Sequence, residues 1–482
     1  MTPTNSRRDF LRKGAAATAG LVAAGAAQTA AAADQPEKHE HGTEPAHDHK
    51  DYPRDRPGPG GPLGSPTDRG KLVAGRRAAG DPPVLVEAPD LGKLPWKMKD
   101  GRKEFHLVCK HTRREFLPDM KFDVWGFNDS MPGPVIEVNE GDRLRIVVHN
   151  ELPESTVIHW HGLEIPNRMD GVHGLVQDPI KPGKSFTYEF DLHQNGTYFY
   201  HSHGPMQEGM GMAGPFIIHP RSAYQPVVDK DFVLLIQEWA ILPQNTIPNT
   251  MSMEFNAFTL NGRSGPYATP LVVRLGDRVR IRFINMSPID HHPMHLHGHT
   301  FWITGTEAGR IPETAWVPRN NVLVGVAQAA DIEFIANNPG DWMIHCHMFH
   351  HMMNFMSSMV GPMAARMQMP GSRDMANSMG MLSLGRGTPF TEDLGPTPTG
   401  RGTGEQTTDE RAMRNGPGMG RGEKDPGYEV PGYPQDMMDM MGMHPPEFVK
   451  KVNKPETRGM RNPWFTGVEA LMTVLRVLPP DL

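Results

Sequence analysis

Short apolar runs, each closed by turn residues, set the pattern of this chain between residues 105 and 365. The runs 135–138, 143–148, 185–190, 232–236, 271–274, 278–284 and 331–335 are rich in Val, Ile, Leu and Phe and read as strands. Pro132-Gly133, Glu140-Gly141, Pro182-Gly183, Asn261-Gly262 and Pro339-Gly340 punctuate them. Many short strands between Gly and Pro turns predict an all-β fold of the sandwich type. A different period governs the C-terminal end. There Val468, Leu471, Met472, Leu475 and Leu478 share one face at helical spacing, which predicts a short amphipathic helix within 462–482.

Three blocks recur in one order. Gly141-Asp142-Arg143-Leu144-Arg145-Ile146 returns as Gly276-Asp277-Arg278-Val279-Arg280-Ile281, offset by 135 residues. His159-Trp160-His161-Gly162 returns as His295-Leu296-His297-Gly298, offset by 136. Gly196-Thr197-Tyr198-Phe199-Tyr200-His201-Ser202-His203 returns as Gly340-Asp341-Trp342-Met343-Ile344-His345-Cys346-His347, offset by 144. Matched blocks in matched order mean two copies of one β-domain, 105–222 and 223–365, with a seam near 220–226.

The flanks read differently. Ser6-Arg7-Arg8-Asp9-Phe10-Leu11-Arg12-Lys13, an Ala/Gly-rich apolar run and Ala31-Ala32-Ala33 form a cleavable export signal over 1–33, resembling the twin-arginine kind. It predicts a mature protein in the periplasm or outside the cell, with no membrane span. Residues 34–104 hold 21 Gly/Pro in 71 positions, with His39, His41, His47 and His49, and read as a flexible arm. Residues 366–461, with 27 Gly/Pro in 96 positions and scattered Met, read as a disordered tail. Near-balanced charge, 49 Lys+Arg against 55 Asp+Glu, excludes a strongly basic nucleic-acid binder. Two cysteines exclude a disulfide framework.

Histidine and methionine carry the candidate chemistry. Of 33 methionines, 21 lie from Met343 onward, and the 24 histidines cluster. Each copy holds two His-x-His motifs: His159/His161 and His201/His203, then His295/His297 and His345/His347. On a strand such a pair points to one face, about 7 Å apart, so it presents two imidazoles to one cavity. Eight inward imidazoles without a metal would leave unpaired polar atoms or buried charge. His292, Cys346, His351 and Met356 add two imidazoles, a thiolate and a thioether, the ligand set of a blue-copper electron-transfer centre. Cys346 lies between His345 and His347, so its side chain faces away from theirs and links two metal sites through a few bonds. Counting from the shared motifs, His292 matches Thr156, Cys346 matches Ser202, His351 matches Gln207, and Met356 matches Met212. The first copy therefore lacks three of the four mononuclear ligands. Cys109, left over, reads as an unpaired buried thiol.

Together, His-Trp-His-Gly at 159–162, His-Ser-His at 201–203, His-Pro-Met-His-Leu-His-Gly-His at 292–299 and the His-Cys-His run from His345 to Met356 resemble the four copper signatures of the multicopper oxidases, laccase type. The resemblance covers about 105–365. It implies two tandem cupredoxin-like Greek-key β-sandwich domains and four coppers per functional unit. A type 2 copper falls on His159 and His295, and a type 3 pair on His161, His201, His203, His297, His345 and His347. The type 1 copper takes His292, Cys346, His351 and Met356. Asp170 matches an acidic residue that helps deliver protons to dioxygen. Only 88 residues separate His203 from His292, which resembles the two-domain bacterial laccases. These are homotrimers whose trinuclear cluster forms where domain 1 of one subunit meets domain 2 of the next.

The implied activity is one-electron oxidation of a phenolic or aromatic donor, or of a metal ion such as Cu(I), coupled to four-electron reduction of dioxygen to water. Thioethers suit Cu(I), and Met206, Met210, Met212, Met352, Met353, Met359, Met363, Met367 and Met369 surround the motifs. Two rivals remain: a non-enzymatic periplasmic copper-binding or resistance protein, and a copper nitrite reductase. The second is disfavoured by the eight cluster histidines and by Ser202.

Overall fold

In the computed structural model, residues 77–78, 80–241, 245–354 and 445–479 are described. The export signal, Met356 and most of the Gly/Pro-rich flanks lie outside them. The first sandwich is built from β1 (Trp96–Lys99), β2 (Arg102–Leu117), β3 (Met120–Phe127), β4 (Ile136–Asn139), β5 (Arg143–Asn150), β6 (Ile158–His161), β7 (Ser185–Asp191), β8 (Gly196–Ser202) and β9 (Ala213–His219). One sheet runs β1-β2-β5-β7 with β3 beside β2; the other runs β4-β9-β8-β6.

The second sandwich comprises β10 (Lys230–Trp239), β11 (Ala257–Leu260), β12 (Leu271–Arg274), β13 (Arg278–Asn285), β14 (His292–Leu296), β15 (Phe301–Thr306), β16 (Gly309–Arg310), β17 (Val317–Arg319), β18 (Asn321–Val324), β19 (Ala329–Ile335), β20 (Gly340–Cys346) and β21 (Met472–Leu478). Its sheets run β11-β10-β13-β19-β15-β16, with β17 on β15, and β12-β21-β20-β14-β18. The duplication extends to pairing direction. Parallel β2–β5 is matched by parallel β10–β13, and parallel β4–β9 by parallel β12–β21. Antiparallel β6–β8–β9 is matched by β14–β20–β21.

The C-terminal segment corrects an expectation. Residues 472–478 are a strand, not a helix, preceded by a single turn at Trp464–Gly467. Thr473, Val474 and Val477 are β-branched, and β12 and β20 leave between them the gap that β9 fills in the first sandwich. Closing that gap buries both faces of the strand: Leu475 and Val477 enter the sandwich core, while Met472 and Val474 pack with Trp464 and Met460. Order also reaches into both flanks, as β1 and the start of β2 within 34–104 and as a helix, Pro446–Val452, within 366–461. Among the described residues no helix is long and apolar enough to cross a membrane.

Each sandwich has its own core. Phe105, Ile146, Trp160 and Tyr200 help fill the first, and Ile281, Phe283, Phe334 and Leu475 the second. Cys109 is a free thiol buried in the first core, where the lack of solvent holds it protonated well above the usual range. Between the sandwiches, Phe199, Ala213 and Ile217 pack on Val233, Leu235 and Ile284. Beside this apolar patch lies a buried ionic cluster. Arg282 donates to both Asp231 oxygens at 2.8 Å and to Thr197 Oγ1 at 2.6 Å, and Thr197 donates to Asp331 at 2.6 Å. Arg280 and Arg278 bind Glu333. The outer face of the second sandwich is thus locked onto β8, the strand that carries His201.

Candidate metal centres

Three donors meet inside the second sandwich. His292 opens β14, Cys346 closes β20, and His351 lies in the turn Phe349–Met352; all three are buried. Cys346 Sγ is 3.6 Å from His292 Nδ1 and 3.5 Å from His351 Nδ1, and the two Nδ1 atoms are 3.2 Å apart. A triangle with those edges leaves its centre about 2 Å from each donor, close to the length of a metal–imidazole or metal–thiolate bond. The other nitrogen of His292 contacts Ser287 Oγ at 2.6 Å, which fixes the ring. Burial, reinforced by His351, pushes His292 down to about 3, so it stays neutral with a free lone pair at pH 7. Burial pushes the Cys346 thiol up to about 12, so the thiolate needs a bound cation.

The eight His-x-His imidazoles form two clusters. In the first sandwich His159 on β6 pairs directly with His201 on β8. His161 Nδ1 and His201 Nε2 lie 3.3 Å apart, and the His159 ring centroid is 5.6 Å from that of His203. His159 Nδ1 donates to the Asp170 carbonyl at 2.7 Å, and His201 Nδ1 to the Ser202 carbonyl at 2.9 Å. Both bonds leave Nε2 with its lone pair. In the second sandwich His295 pairs with His345, His297 Nε2 is 3.1 Å from His345 Nε2, and the His347 ring lies 5.3 Å from that of His345. His295 Nδ1 donates to Asn320 and His345 Nδ1 to Cys346. Burial and the neighbouring imidazoles hold His161 and His345 at about 4, again the neutral form. Among the described residues, no group of donors within 4.8 Å of one another draws from both sandwiches.

Two stretches of the chain, 109–223 and 241–362, match models of the multicopper oxidases. The chain belongs to the multicopper oxidase family. Over 242 residues it is 34% identical to Laccase-1 of Cryptococcus neoformans, a match covering 40% of this chain and 38% of that one. Over 209 residues it is 30% identical to copper resistance protein A of Pseudomonas syringae pv. tomato, covering 42% and 34%. The chain thus spans well under half the length of these relatives. A blue copper oxidase from Nitrosomonas europaea superposes with a TM-score of 0.49 at 31% identity, covering 52% of this chain and 81% of that one. Copper, which a multicopper oxidase uses, fits these donors: imidazole and thiolate in a three-cornered buried group are what it prefers.

Sequence reasoning missed two groups beside the mononuclear triangle. Asp290 Oδ2 lies 3.3 Å from His351 Nε2, the ring edge that faces away from Cys346. Glu238, at the end of β10, is buried; one oxygen accepts from the Ile289 and Asp290 backbone N–H groups, and among the described residues Oε2 has no hydrogen-bond partner. Burial, with Asp290 next to it, pushes Glu238 up to about 8. Only the nearness of Asp290 to His292 in sequence hinted at either. Asp170, expected as an acid, reaches His159 more closely through its carbonyl than through its carboxylate, which is 3.5 Å away.

Proposed function

We propose that this chain is an oxidase of the laccase kind, which takes single electrons from a small donor and delivers four to dioxygen. The observation that carries the reading is the Cys346 thiol on the mononuclear triangle, flanked in sequence by His345 and His347 of an imidazole cluster. His292, Cys346 and His351 would hold a type 1 copper. His159 and His295 would hold a type 2 copper, and His161, His201, His203, His297, His345 and His347 a type 3 pair. Bound copper supplies the one-electron redox chemistry that donor oxidation and the reduction of dioxygen to water require.

The protein's own part is tautomer, wiring and proton supply. Carbonyls of Asp170, Ser202, Asn320 and Cys346 fix four Nδ1–H groups and aim the Nε2 lone pairs inward. Cys346 is the short covalent link between the two kinds of site. The Asp170 carboxylate, half-buried beside His159, is the candidate proton carrier. Because, among the described residues, the imidazole contacts join His159, His161, His201 and His203 to one another and His295, His297, His345 and His347 to one another but not one set to the other, we assign the complete cluster to a ring of three chains, in which the first sandwich of one meets the second of the next. Export through the 1–33 signal to the periplasm or beyond belongs to the same reading.

Asp290 and Glu238 bear on the donor. The Asp290 carboxylate at the outer ring edge of His351, with the buried Glu238 carboxyl beside it, favours a donor that is cationic or releases a proton, namely a metal ion, an aromatic amine or a phenol. A purely copper-sequestering role remains the rival, favoured by the likeness to copper resistance protein A. Copper per chain, measured together with oxygen uptake on a phenolic donor, separates them. Four coppers per chain with oxygen consumed supports the oxidase; copper uptake with no oxygen consumed supports sequestration.

A further inference from the structure

The two sandwiches provide an internal reference for the fourth position of the mononuclear site, a position whose meaning rests on the type 1 assignment proposed for His292, Cys346 and His351. In the first sandwich Met212 immediately precedes β9. Ser202 N–H donates to the Met212 carbonyl at 3.0 Å, and Met212 N–H donates to the Gln207 carbonyl at 3.2 Å. In the second, the residue that precedes β21 is Leu471. Cys346 N–H donates to the Leu471 carbonyl at 3.1 Å, and Leu471 N–H donates to the His351 carbonyl at 3.1 Å. Ser202 and Gln207 are the counterparts of Cys346 and His351, so Leu471 holds the place of Met212 by hydrogen-bond register. It is fully buried, in the same core cluster as Cys346.

Counting along the chain gives a different answer. Met212 follows Gln207 by five residues, and Met356 follows His351 by the same five. That spacing reaches the fourth position only when the closing strand comes next, as β9 does after Met212. In the second sandwich the closing strand is drawn from Met472–Leu478 instead, and it brings Leu471 with it. Nor do the thioethers on the two strands beside Cys346 take the place. Met472 points to the opposite face of β21, where it packs with Val468 and Val474. Met294, paired with Cys346 across the strands, holds the core position that Ile158 holds opposite Ser202.

We propose that Leu471, not Met356, occupies the axial position of the mononuclear copper site. The site then has three strong donors and a hydrocarbon above them. An axial thioether donates weakly to copper and favours the oxidised ion, which carries more charge. A leucyl side chain offers no donor and keeps water out, so the reduction potential rises and harder-to-oxidise donors come within reach.

The test is a pair of substitutions in the full chain, Leu471→Met and Met356→Leu, each loaded with copper. Redox titration and electron paramagnetic resonance of the blue centre are read against the wild type. The expected result is a lower potential and an altered type 1 signal for Leu471→Met, with Met356→Leu matching the wild type in both. A potential raised by Met356→Leu, or one unmoved by Leu471→Met, overturns the assignment. Should Leu471→Met not fold, Met356→Leu alone still decides, since a methionine ligand cannot be removed without moving the potential. A copper-loaded wild type with no blue centre would instead remove the type 1 reading itself.

Discussion

Where the second sandwich brings His292, Cys346 and His351 together, the first brings together Thr156, Ser202 and Gln207. Thr156 and Ser202 both donate to Gln207 Oε1, at 2.7 and 2.6 Å, and Gln207 Nε2 donates to Glu154 at 2.6 Å. One backbone thus carries two solutions. Three hydroxyl and amide groups satisfy one another and need no ion, whereas two neutral imidazoles and a thiol present lone pairs that only a cation satisfies. A second contrast runs through the repeated Gly-Asp-Arg strand. In the first sandwich Arg143 and Arg145 pair with Asp191 and Glu189 at the surface. In the second, Arg278, Arg280 and Arg282 are buried against Asp231, Asp331 and Glu333, because the first sandwich covers that face. Duplicated sequence does not mean duplicated role: what lies against each copy decides.

The largest expected effect breaks the first contrast. Cys346→Ser gives the second sandwich the residue that the first already has, and it abolishes the blue colour and donor oxidation; retained turnover would refute the electron route through Cys346. Next comes the second contrast. Arg282→Met leaves Asp231 and Asp331 with one fewer counter-charge in a buried setting, at a cost of about 3–5 kcal/mol in urea unfolding. The same change at Arg145, which is only partly buried, should shift the midpoint less; equal shifts would mean that the burial difference carries no energy.

A smaller, pH-dependent effect lies in the lead-in to β21. Glu469 is buried, with no charged partner among the described residues, at the position Met210 holds by count from Met212 and Leu471, and burial raises its carboxyl from 4.5 to about 7. Between those values the folded chain keeps a proton that the unfolded chain releases. Stability of the copper-free protein therefore falls as pH rises from about 4.5 to 7, by on the order of 3 kcal/mol. Glu469→Gln should flatten that fall, as read from unfolding midpoints across the range. An unchanged slope would place the titration elsewhere.

The duplication and the four His-x-His pairs were legible because both are local: a repeat shows as matched strings, and residues i and i+2 share a strand face without any knowledge of the fold. The Thr156, Ser202 and Gln207 correspondence followed from the same strings. What escaped was long-range. Residues 472–478 carry apolar side chains at both helical and strand periods, and only the gap between β12 and β20 selects the strand. Leu471 reaches Cys346 solely through that pairing. The 16-residue β2 is interrupted by Lys, Arg and Glu, which hides its strand period, and Glu238 becomes notable only once β10 sets it beside Asp290.

The claim that one cluster is assembled from two chains is tested most directly by complementation. His203→Ala disables the first-sandwich half-site, and His347→Ala disables the second. Co-expressed, the two variants should recover oxygen consumption at those junctions where an intact first sandwich meets an intact second one, while each alone stays inactive. A mixture as inactive as its parts, in a protein that forms mixed rings, would contradict it.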